Sequence, residues 1–160
     1  MAKTLWLMCG VPGVGKSWFA KNRLMRPGWV YISRDEIRFS IVKNEEEYFS
    51  HEKEVFHKFV DRIADTLIWD ADDVVADATH LNWGSRRKLM EALKRYAFME
   101  NIQIIPVVVT ASLKTILARN QLRNGRERVP EDVIRRMLGR MCDPELDPYK
   151  YTAIMRVTNE

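Results

Sequence analysis

The residues with the most evident chemical potential lie close to the amino terminus, in the segment CGVPGVGKSW (residues 9–18). Within it, Gly10, Gly15, Lys16 and Ser17 follow the spacing G-x-x-x-x-G-K-S. In such a loop the glycines let backbone N–H groups turn toward phosphate oxygens, the lysine reaches the outer phosphates, and the serine hydroxyl binds Mg²⁺. The pattern therefore predicts a site for a nucleoside triphosphate. The residues assigned to the nucleotide in this loop are Gly10, Gly13, Val14, Gly15, Lys16 and Ser17.

A second chemical group follows the next predicted strand, in the segment ISRDEIR. Asp35 and Arg38 are three residues apart at the start of a predicted helix, so they share one helix face. Phosphoryl transfer needs a group that orients or deprotonates the attacking nucleophile. The Asp35 carboxylate can accept a hydroxyl proton, and the Arg38 guanidinium can hold a phosphate of the acceptor. An acidic side chain at a helix start beside an exposed arginine is the structural alternative.

A third predicted strand ends in VVADAT, with Asp77 at its tip. Because ligands of open parallel sheets bind at the carboxyl ends of the strands, Asp77 is expected near the phosphate-binding loop. There it would order Mg²⁺ or hold Ser17 and Lys16 in place. No glutamate follows Asp77, so the acid pair typical of ATP-driven motors is missing. This favours phosphate transfer to a substrate over hydrolysis.

Positive charge is concentrated in the last third of the chain. Residues 119–140 contain seven arginines and only three acidic residues. The arginines cluster around Asn124 and Gly125, a natural hinge, and precede Pro130. We interpret residues 119–130 as a mobile lid that closes arginines over the phosphates. A basic helix face exposed to solvent is the alternative.

The hydrophobic pattern alternates between strands and helices along the whole chain, which predicts an α/β fold. A three-layer α/β/α arrangement with a mostly parallel sheet follows, since such strands need helical crossovers. Pro106 lies inside the fourth strand and predicts a bulge or an edge position, because proline cannot donate to the ladder. Trp18 is expected to pack in the core, with stacking on a nucleobase as the alternative. The predicted strands cover residues 4–9, 29–33, 72–79, 102–110 and 151–158, and the helices cover 15–25, 35–42, 45–69, 85–98, 112–124 and 131–141.

Four segments of the chain, GVPGVGKS, ISRDEIR, VVADATHL and RNQLR…RVPEDVIRRM, occur in an order that resembles the polynucleotide 5′-hydroxyl kinase family. This family includes the kinase domain of the bacteriophage end-healing enzymes. The similarity extends over residues 4–141, and the second and fourth segments are its most particular parts. The resemblance implies a P-loop kinase fold and a role in nucleic acid repair. The implied reaction moves the γ-phosphate of ATP, with Mg²⁺, to the 5′-hydroxyl of DNA or RNA.

The same resemblance implies roles for individual residues. Asp35 would be the general base on the 5′-hydroxyl, and Arg38 would hold the neighbouring phosphate of the acceptor strand. Arg123 would be the lid arginine on the transferring phosphate, with Arg119 or Arg126 assisting. The phosphates and the metal would be served by Lys16, Ser17 and Asp77.

The length, charge and cysteine content of the chain limit the classes of protein to which it can belong. A chain of 160 residues with a net charge of +4 fits a single domain, residues 1–160, and permits a polyanionic partner without requiring one. No apolar stretch is long enough to span a bilayer, and a cytoplasmic location is expected. The two cysteines, Cys9 and Cys142, match no metal or redox spacing. The three histidines are expected to be structural or exposed.

Two other classes of function remain open at the level of sequence. Zeta-type toxin kinases and small kinases that act on antibiotics or metabolites share the donor half of the mechanism and differ in the acceptor. Arg38 favours a phosphodiester acceptor, because a sugar or a drug needs no phosphate clamp. A non-catalytic nucleotide-dependent binding module would not need Asp35 at all.

Overall fold

Five parallel strands form the centre of the structure, a computed structural model that describes residues 2–43, 46–70 and 72–160. The strands stand in the order β2-β3-β1-β4-β5, and each neighbouring pair is parallel. This confirms the predicted α/β class with a parallel sheet. The strands are β1 (Thr4–Cys9), β2 (Val30–Ser33), β3 (Val74–Asp77), β4 (Gln103–Thr110) and β5 (Met155–Thr158).

Helical crossovers join the strands, as parallel pairing requires. The helix after β1 widens into a π-helical turn at Ala20–Leu24, and the helix before β3 ends in a similar turn at Thr66–Asp70. Single 3₁₀ turns lie at Ala97–Asn101, Gly125–Glu127 and Pro144–Leu146. The α-helices are α1 (Lys16–Phe19), α2 (Arg34–Ile41), α3 (Glu52–Asp65), α4 (Trp83–Leu93), α5 (Leu113–Gln121) and α6 (Glu131–Arg140).

Alternate side chains of the sheet enter two separate hydrophobic clusters, one on each face. Leu5 and Leu7 of β1 pack with buried residues of α2, α3 and α4. Met8 of the same strand packs with Leu24 and with buried residues of α5 and α6. Both faces of the sheet are therefore covered by helices, which confirms the three-layer α/β/α arrangement.

The proline in the fourth strand lies in an inner strand, because β4 is flanked by β1 and β5, so the predicted bulge or edge strand is not found. Pro106 pairs with Leu7 of β1 in an unbroken register, so the strand has no bulge on that side. The ladder with β5 begins only at Val107. The missing N–H of Pro106 thus lies beyond the end of that ladder and interrupts no bond within it.

The long helix predicted over residues 45–69 begins later than expected, at Glu52. Residues 44–45 lie outside the described part of the chain, so the prediction that Glu45 opens this helix is not addressed there. Glu46 instead accepts a hydrogen bond from the backbone N–H of Lys43 at 3.1 Å and closes a turn. The amphipathic spacing predicted the helix itself, but the contacts of this preceding segment determine where the helix starts.

A buried histidine lies next to the carboxyl end of β1. His80 is 4% exposed, its backbone has a φ of 40°, and its Nδ1 donates to the carbonyl of Met8 at 2.8 Å. Burial lowers the pKa of His80 to about 4, against the effect of the Met8 hydrogen bond. The side chain is therefore neutral in the folded protein, which agrees with the predicted structural role.

We expect this histidine to make the protein less stable in mild acid. Between pH 6.5 and pH 4 the unfolded chain binds a proton at His80 that the folded chain does not, so the free energy of unfolding falls as the pH falls. The loss amounts to roughly 3 kcal/mol over this range. His80→Asn, which tolerates a positive φ, should flatten the pH dependence measured by urea unfolding. The exposed His57 gives the control, and an equal flattening in His57→Asn would contradict this account.

None of the helices in the described residues is sufficiently long and apolar to cross a membrane. The predicted cytoplasmic location stays a prediction.

Candidate active site

The loop between β1 and α1 has the backbone shape that a phosphate-binding loop needs. Gly13 and Gly15 have φ values of 96° and 86°, which favour glycine. A Cβ at Gly13 would come within 2.8 Å of the carbonyl oxygen of Ile116, so a larger residue does not fit there. Helix α1 begins at Lys16, and the N–H groups of its first turn have no carbonyl partner inside the helix. These N–H groups would donate hydrogen bonds to a bound phosphate.

Lys16 lies where charges from three other predicted site residues reach it. Burial lowers the pKa of the Lys16 ammonium below its usual value, while the carboxylates of Asp77 and Asp35 raise it and the guanidinium of Arg123 lowers it. Its Nζ is 3.5 Å from the carbonyl oxygen of Val11. The structure thus brings the loop lysine, both predicted acids and one lid arginine into one electrostatic environment.

Two oxygen ligands suited to Mg²⁺ lie side by side next to this lysine. The Ser17 hydroxyl donates to Oδ2 of Asp77 at 2.6 Å, and Asp77 is 5% exposed at the end of β3. Mg²⁺ prefers oxygen ligands and is usually held by one or two carboxylates together with substrate phosphates. The donor set formed by Ser17 and Asp77 therefore fits this metal.

Tyr31 completes this group of oxygens and was not among the residues predicted from sequence. Its hydroxyl also donates to Oδ2 of Asp77. Burial and the negative charge of Asp77 raise the pKa of the Tyr31 phenol, so the phenol stays protonated and remains a donor. The sequence gives no sign of this contact between Tyr31 and Asp77, because it depends on the pairing of β2 with β3.

Asp35 is placed as a group that a substrate can reach. It lies in the first turn of α2, whose amino end is capped by Ser33 accepting from the N–H of Glu36 at 3.2 Å. The Asp35 side chain is 60% exposed. It accepts a hydrogen bond from the Tyr48 hydroxyl at 2.7 Å and another from the Arg38 guanidinium. The carboxylate is therefore oriented on one side and open on the other.

Arg38 is buried at 5% exposure, and protein side chains hold its guanidinium on three sides. Its Nε and Nη2 donate to the two oxygens of Glu52 at 2.6 and 3.0 Å, and its Nη1 donates to the Tyr48 hydroxyl at 3.0 Å and to Asp35. Burial raises the pKa of the Glu52 carboxyl, but the hydrogen bonds from Arg38 outweigh this effect and hold the pKa below its usual range. Here Arg38 positions Asp35 and Tyr48. Its predicted role as a phosphate clamp stays a prediction.

The lid, residues 119–130, lies between the nucleotide loop and the end of α2. Nη1 of Arg119 donates to the carbonyl of Val14 at 3.1 Å. Nη1 of Arg126 donates to the carbonyl of Val42 at 3.0 Å. The lid thus contacts both the phosphate-binding loop and the end of α2, while Arg123 between these two arginines acts on Lys16 through its charge.

Asn120, which the sequence did not single out, joins the two ends of the lid. It is 5% exposed, its Nδ2 donates to the carbonyl of Val129 at 2.6 Å, and its Oδ1 accepts from the Val129 N–H at 3.0 Å. Arg128 adds a bond from its Nε to the carbonyl of Arg123 at 3.0 Å. These bonds give the lid a defined shape, and its predicted mobility stays a prediction.

Comparison with known proteins assigns a family to this arrangement. The family model described as AAA domain matches residues 5–144. The chain belongs to this family. The match includes the loop, the ends of β2 and β3 and the whole lid, so the candidate site of this AAA domain lies within the family region.

Solved structures share the P-loop kinase-like fold of this AAA domain at low sequence identity. A chain of the Pnkp1/Rnl/Hen1 RNA repair complex matches with a TM-score of 0.68 and 18% identity, over 87% of this chain and 44% of that chain. This chain therefore spans less than half the length of that relative. A gluconokinase from Sinorhizobium meliloti matches with a TM-score of 0.61 and 16% identity, over 98% and 82% of the two chains. Kti12 from Chaetomium thermophilum, in complex with ADP-AlF₃, matches with 0.61 and 15%, over 96% and 88%.

One contact to the nucleotide loop comes from beyond the family region of this AAA domain. The Asn159 amide nitrogen donates to the carbonyl of Val14 at 3.2 Å and is 3.4 Å from that of Gly15. Asn159 is placed by its own N–H, which donates to the carbonyl of Thr110 at 2.8 Å. The sequence gives no local signal for this contact, because Asn159 and Val14 are more than a hundred positions apart.

The prediction that Trp18 packs in the core of the AAA domain is wrong. Its side chain is 52% exposed, and the guanidinium carbon of Arg23 lies 5.7 Å from the centre of its ring. Ala20 and Leu24 fill the core side of this helical segment. A residue two positions before Ala20 lies on the opposite side of a helix, which leaves Trp18 in solvent.

Proposed function

We propose that this P-loop kinase-like protein transfers the γ-phosphate of ATP, with Mg²⁺, to the 5′-hydroxyl of a polynucleotide. The observation that carries the proposal is the position of Asp35. An exposed, oriented carboxylate lies in the same electrostatic environment as the loop lysine and the oxygens of Ser17 and Asp77. This proximity supports a nucleotide site combined with a base for an attacking hydroxyl.

In the proposed reaction the acceptor hydroxyl attacks the γ-phosphorus in line with the bond to the leaving oxygen. A new oxygen–phosphorus bond forms, the bond to the β-phosphate oxygen breaks, and ADP leaves. Asp35 takes the proton of the attacking hydroxyl, while Arg38 and Tyr48 keep the carboxylate in position. Lys16, the amide groups of the loop and Arg123 stabilise charge on the transferring group. Bound Mg²⁺ would supply further positive charge next to Ser17 and Asp77.

Two observations support a polynucleotide as the acceptor. The fold is shared with a chain of an RNA repair complex. The lid of this chain carries Arg119, Arg123, Arg126 and Arg128 in ten residues, with one acidic residue, Glu127. A lid of this composition suits a polyanionic acceptor in addition to the nucleotide.

A small-molecule kinase is the second candidate, and the extent of a fold match favours it. The gluconokinase resembles this chain over 82% of its own length, against 44% for the chain of the RNA repair complex. In a kinase of this type Arg38 would serve only to position Asp35. A nucleotide-dependent binding module is a third reading, and it gives no reason for an exposed, oriented carboxylate at Asp35.

The deciding experiment offers one enzyme preparation a panel of acceptors with γ-labelled ATP and Mg²⁺. The panel contains DNA and RNA oligonucleotides with a 5′-hydroxyl, the same oligonucleotides with a 5′-phosphate, nucleosides, gluconate and an aminosugar. We expect label on the 5′-hydroxyl oligonucleotides and none on their 5′-phosphorylated forms. Label on a small molecule alone would overturn the proposal in favour of the second candidate. ATP binding without transfer to any acceptor would favour the binding module.

A further inference from the structure

An exposed aromatic ring lies next to the proposed catalytic carboxylate and has no role in the mechanism described above. Phe49 is 59% exposed, in the segment between α2 and α3. Its ring centre lies 4.6 Å from that of Tyr48, whose hydroxyl donates to Asp35. The Arg38 guanidinium carbon lies 5.4 Å from the Phe49 ring centre. One residue therefore links this ring to the position of the attacking hydroxyl.

The rings around Asp35 form a continuous aromatic wall, defined as Phe39, Tyr48 and Phe49. Tyr48 and Phe39 meet edge to face with centres 5.9 Å apart, and the Arg126 guanidinium carbon lies 5.1 Å from the Phe39 ring centre. The wall thus runs from the lid to Asp35. Phe49 is its most exposed member, while Phe39 and Tyr48 are half-buried.

The position of Phe49 is held by fixed neighbours. Tyr48 is anchored by its hydroxyl, which donates to Asp35 at 2.7 Å and accepts from Arg38 at 3.0 Å. Arg38 is in turn held by both oxygens of Glu52. A ring supported in this way presents exposed apolar surface with little freedom to fold inward. Such an exposed aromatic surface is suited to stacking against another flat ring.

We propose that Phe49 stacks against the nucleobase of the acceptor's 5′-terminal nucleotide. The inference rests on the proposed function and extends it to how the acceptor is recognised. In a 5′-terminal nucleotide one sugar lies between the base and the 5′-hydroxyl. In the same way, one side chain of the protein, that of Tyr48, lies between the Phe49 ring and Asp35. Stacking tolerates any base, since each has a π-face. Phe49 would therefore select for a base without selecting which base.

The charges nearby suit this acceptor. A nucleotide brings a phosphodiester next to its base, and Arg126 of the lid lies at the Phe39 end of the wall. Base stacking beside cationic side chains is the common way of binding single-stranded nucleic acid. A sugar acid or an aminosugar has no flat base to place against Phe49.

The test compares two acceptors with three enzymes, and a fourth enzyme, Phe49→Trp, serves as the conservative variant. The acceptors are a 5′-hydroxyl oligonucleotide and the same oligonucleotide with an abasic 5′-terminal residue. The enzymes are the wild type, Phe49→Ala and the control Trp69→Ala, which removes a ring that is 79% exposed at the end of the helix leading to β3. We expect Phe49→Ala to lower kcat/KM for the intact oligonucleotide about 5- to 150-fold, mainly through KM. Trp69→Ala should behave as wild type.

The abasic acceptor separates stacking from any other effect of the substitution. The wild type should lose about the same factor on the abasic oligonucleotide, and Phe49→Ala should show no further loss on it. Phe49→Trp should keep the wild-type preference for the intact acceptor. An abasic penalty that persists in Phe49→Ala, or an unchanged kcat/KM for the intact oligonucleotide, would overturn the inference while leaving the proposed function standing. Absence of label on every oligonucleotide with the wild type would overturn both.

Discussion

Asp35→Asn is expected to lower the rate of phosphate transfer by about 10²- to 10⁴-fold, the usual contribution of a general base. Asparagine has nearly the same shape and still accepts hydrogen bonds from Tyr48 and Arg38 through its amide oxygen. It cannot take up the proton of the attacking hydroxyl. The buried Arg38 guanidinium keeps both oxygens of Glu52 as partners in this variant, so the fold is expected to remain intact.

The measurement is single-turnover transfer of label from ATP, together with the affinity for ATP by calorimetry. ATP affinity should stay close to wild type, since the loop residues that bind the phosphates are unchanged. The neighbouring Glu36 provides the matched control: its carboxylate is also exposed, at 64%, and lies 3.8 Å from Nζ of Lys21. Glu36→Gln should transfer phosphate normally. Wild-type transfer by Asp35→Asn would show that the base has been wrongly assigned.

Arg86→Met is expected to lower the free energy of unfolding by about 3–5 kcal/mol, because it leaves the buried charge of Asp147 without its cationic partner and with the Tyr151 hydroxyl as its remaining side-chain donor. Arg86 is fully buried on α4 and bonds both oxygens of Asp147, at 2.6 and 2.8 Å. Its remaining donors reach the carbonyls of His80 and Cys142 at 2.7 and 2.9 Å. This guanidinium thus ties α4 to the end of the sheet and to the segment that follows α6.

Urea unfolding followed by circular dichroism measures this effect, and the next residue on α4 provides its control. Arg87 is 59% exposed and pairs with Glu91 at 2.8 Å, so Arg87→Met should change stability by less than about 0.5 kcal/mol. The double variant Arg86→Met with Asp147→Leu should recover part of the loss, since it removes both buried charges. Equal stability of the two single variants would contradict the assigned role of Arg86.

Local sequence patterns predicted most of the fold and the part of the site that includes the phosphate-binding loop. The strand–loop–helix at Gly10 to Ser17 was predicted because its spacing lies within one short segment. Asp35 and Arg38 were placed together because helix geometry brings residues three apart onto one face. The alternation of strands and helices predicted the parallel sheet, and that sheet brings Asp77 next to Ser17.

Side chains from distant segments account for what the sequence did not show. The start of α3 was predicted too early, because residues 46–51 look like helix in their spacing but make contacts with α2 instead. Glu52 could not be assigned to Arg38 without knowing how α3 packs against α2. Trp18 was misplaced because a single residue shows no periodicity of its own.

The sequence by itself determined the chemistry that is available: a phosphate-binding loop, two acids at strand ends, and an arginine-rich lid. These features are encoded locally, through glycine conformations, helix spacing and charge. Only the tertiary structure decided how the groups are used. It buried Arg38 against Glu52, left Asp35 exposed, connected the two ends of the lid through Asn120 and placed Phe49 against Tyr48. Such contacts join residues far apart in the chain, and their partners are selected by packing in three dimensions.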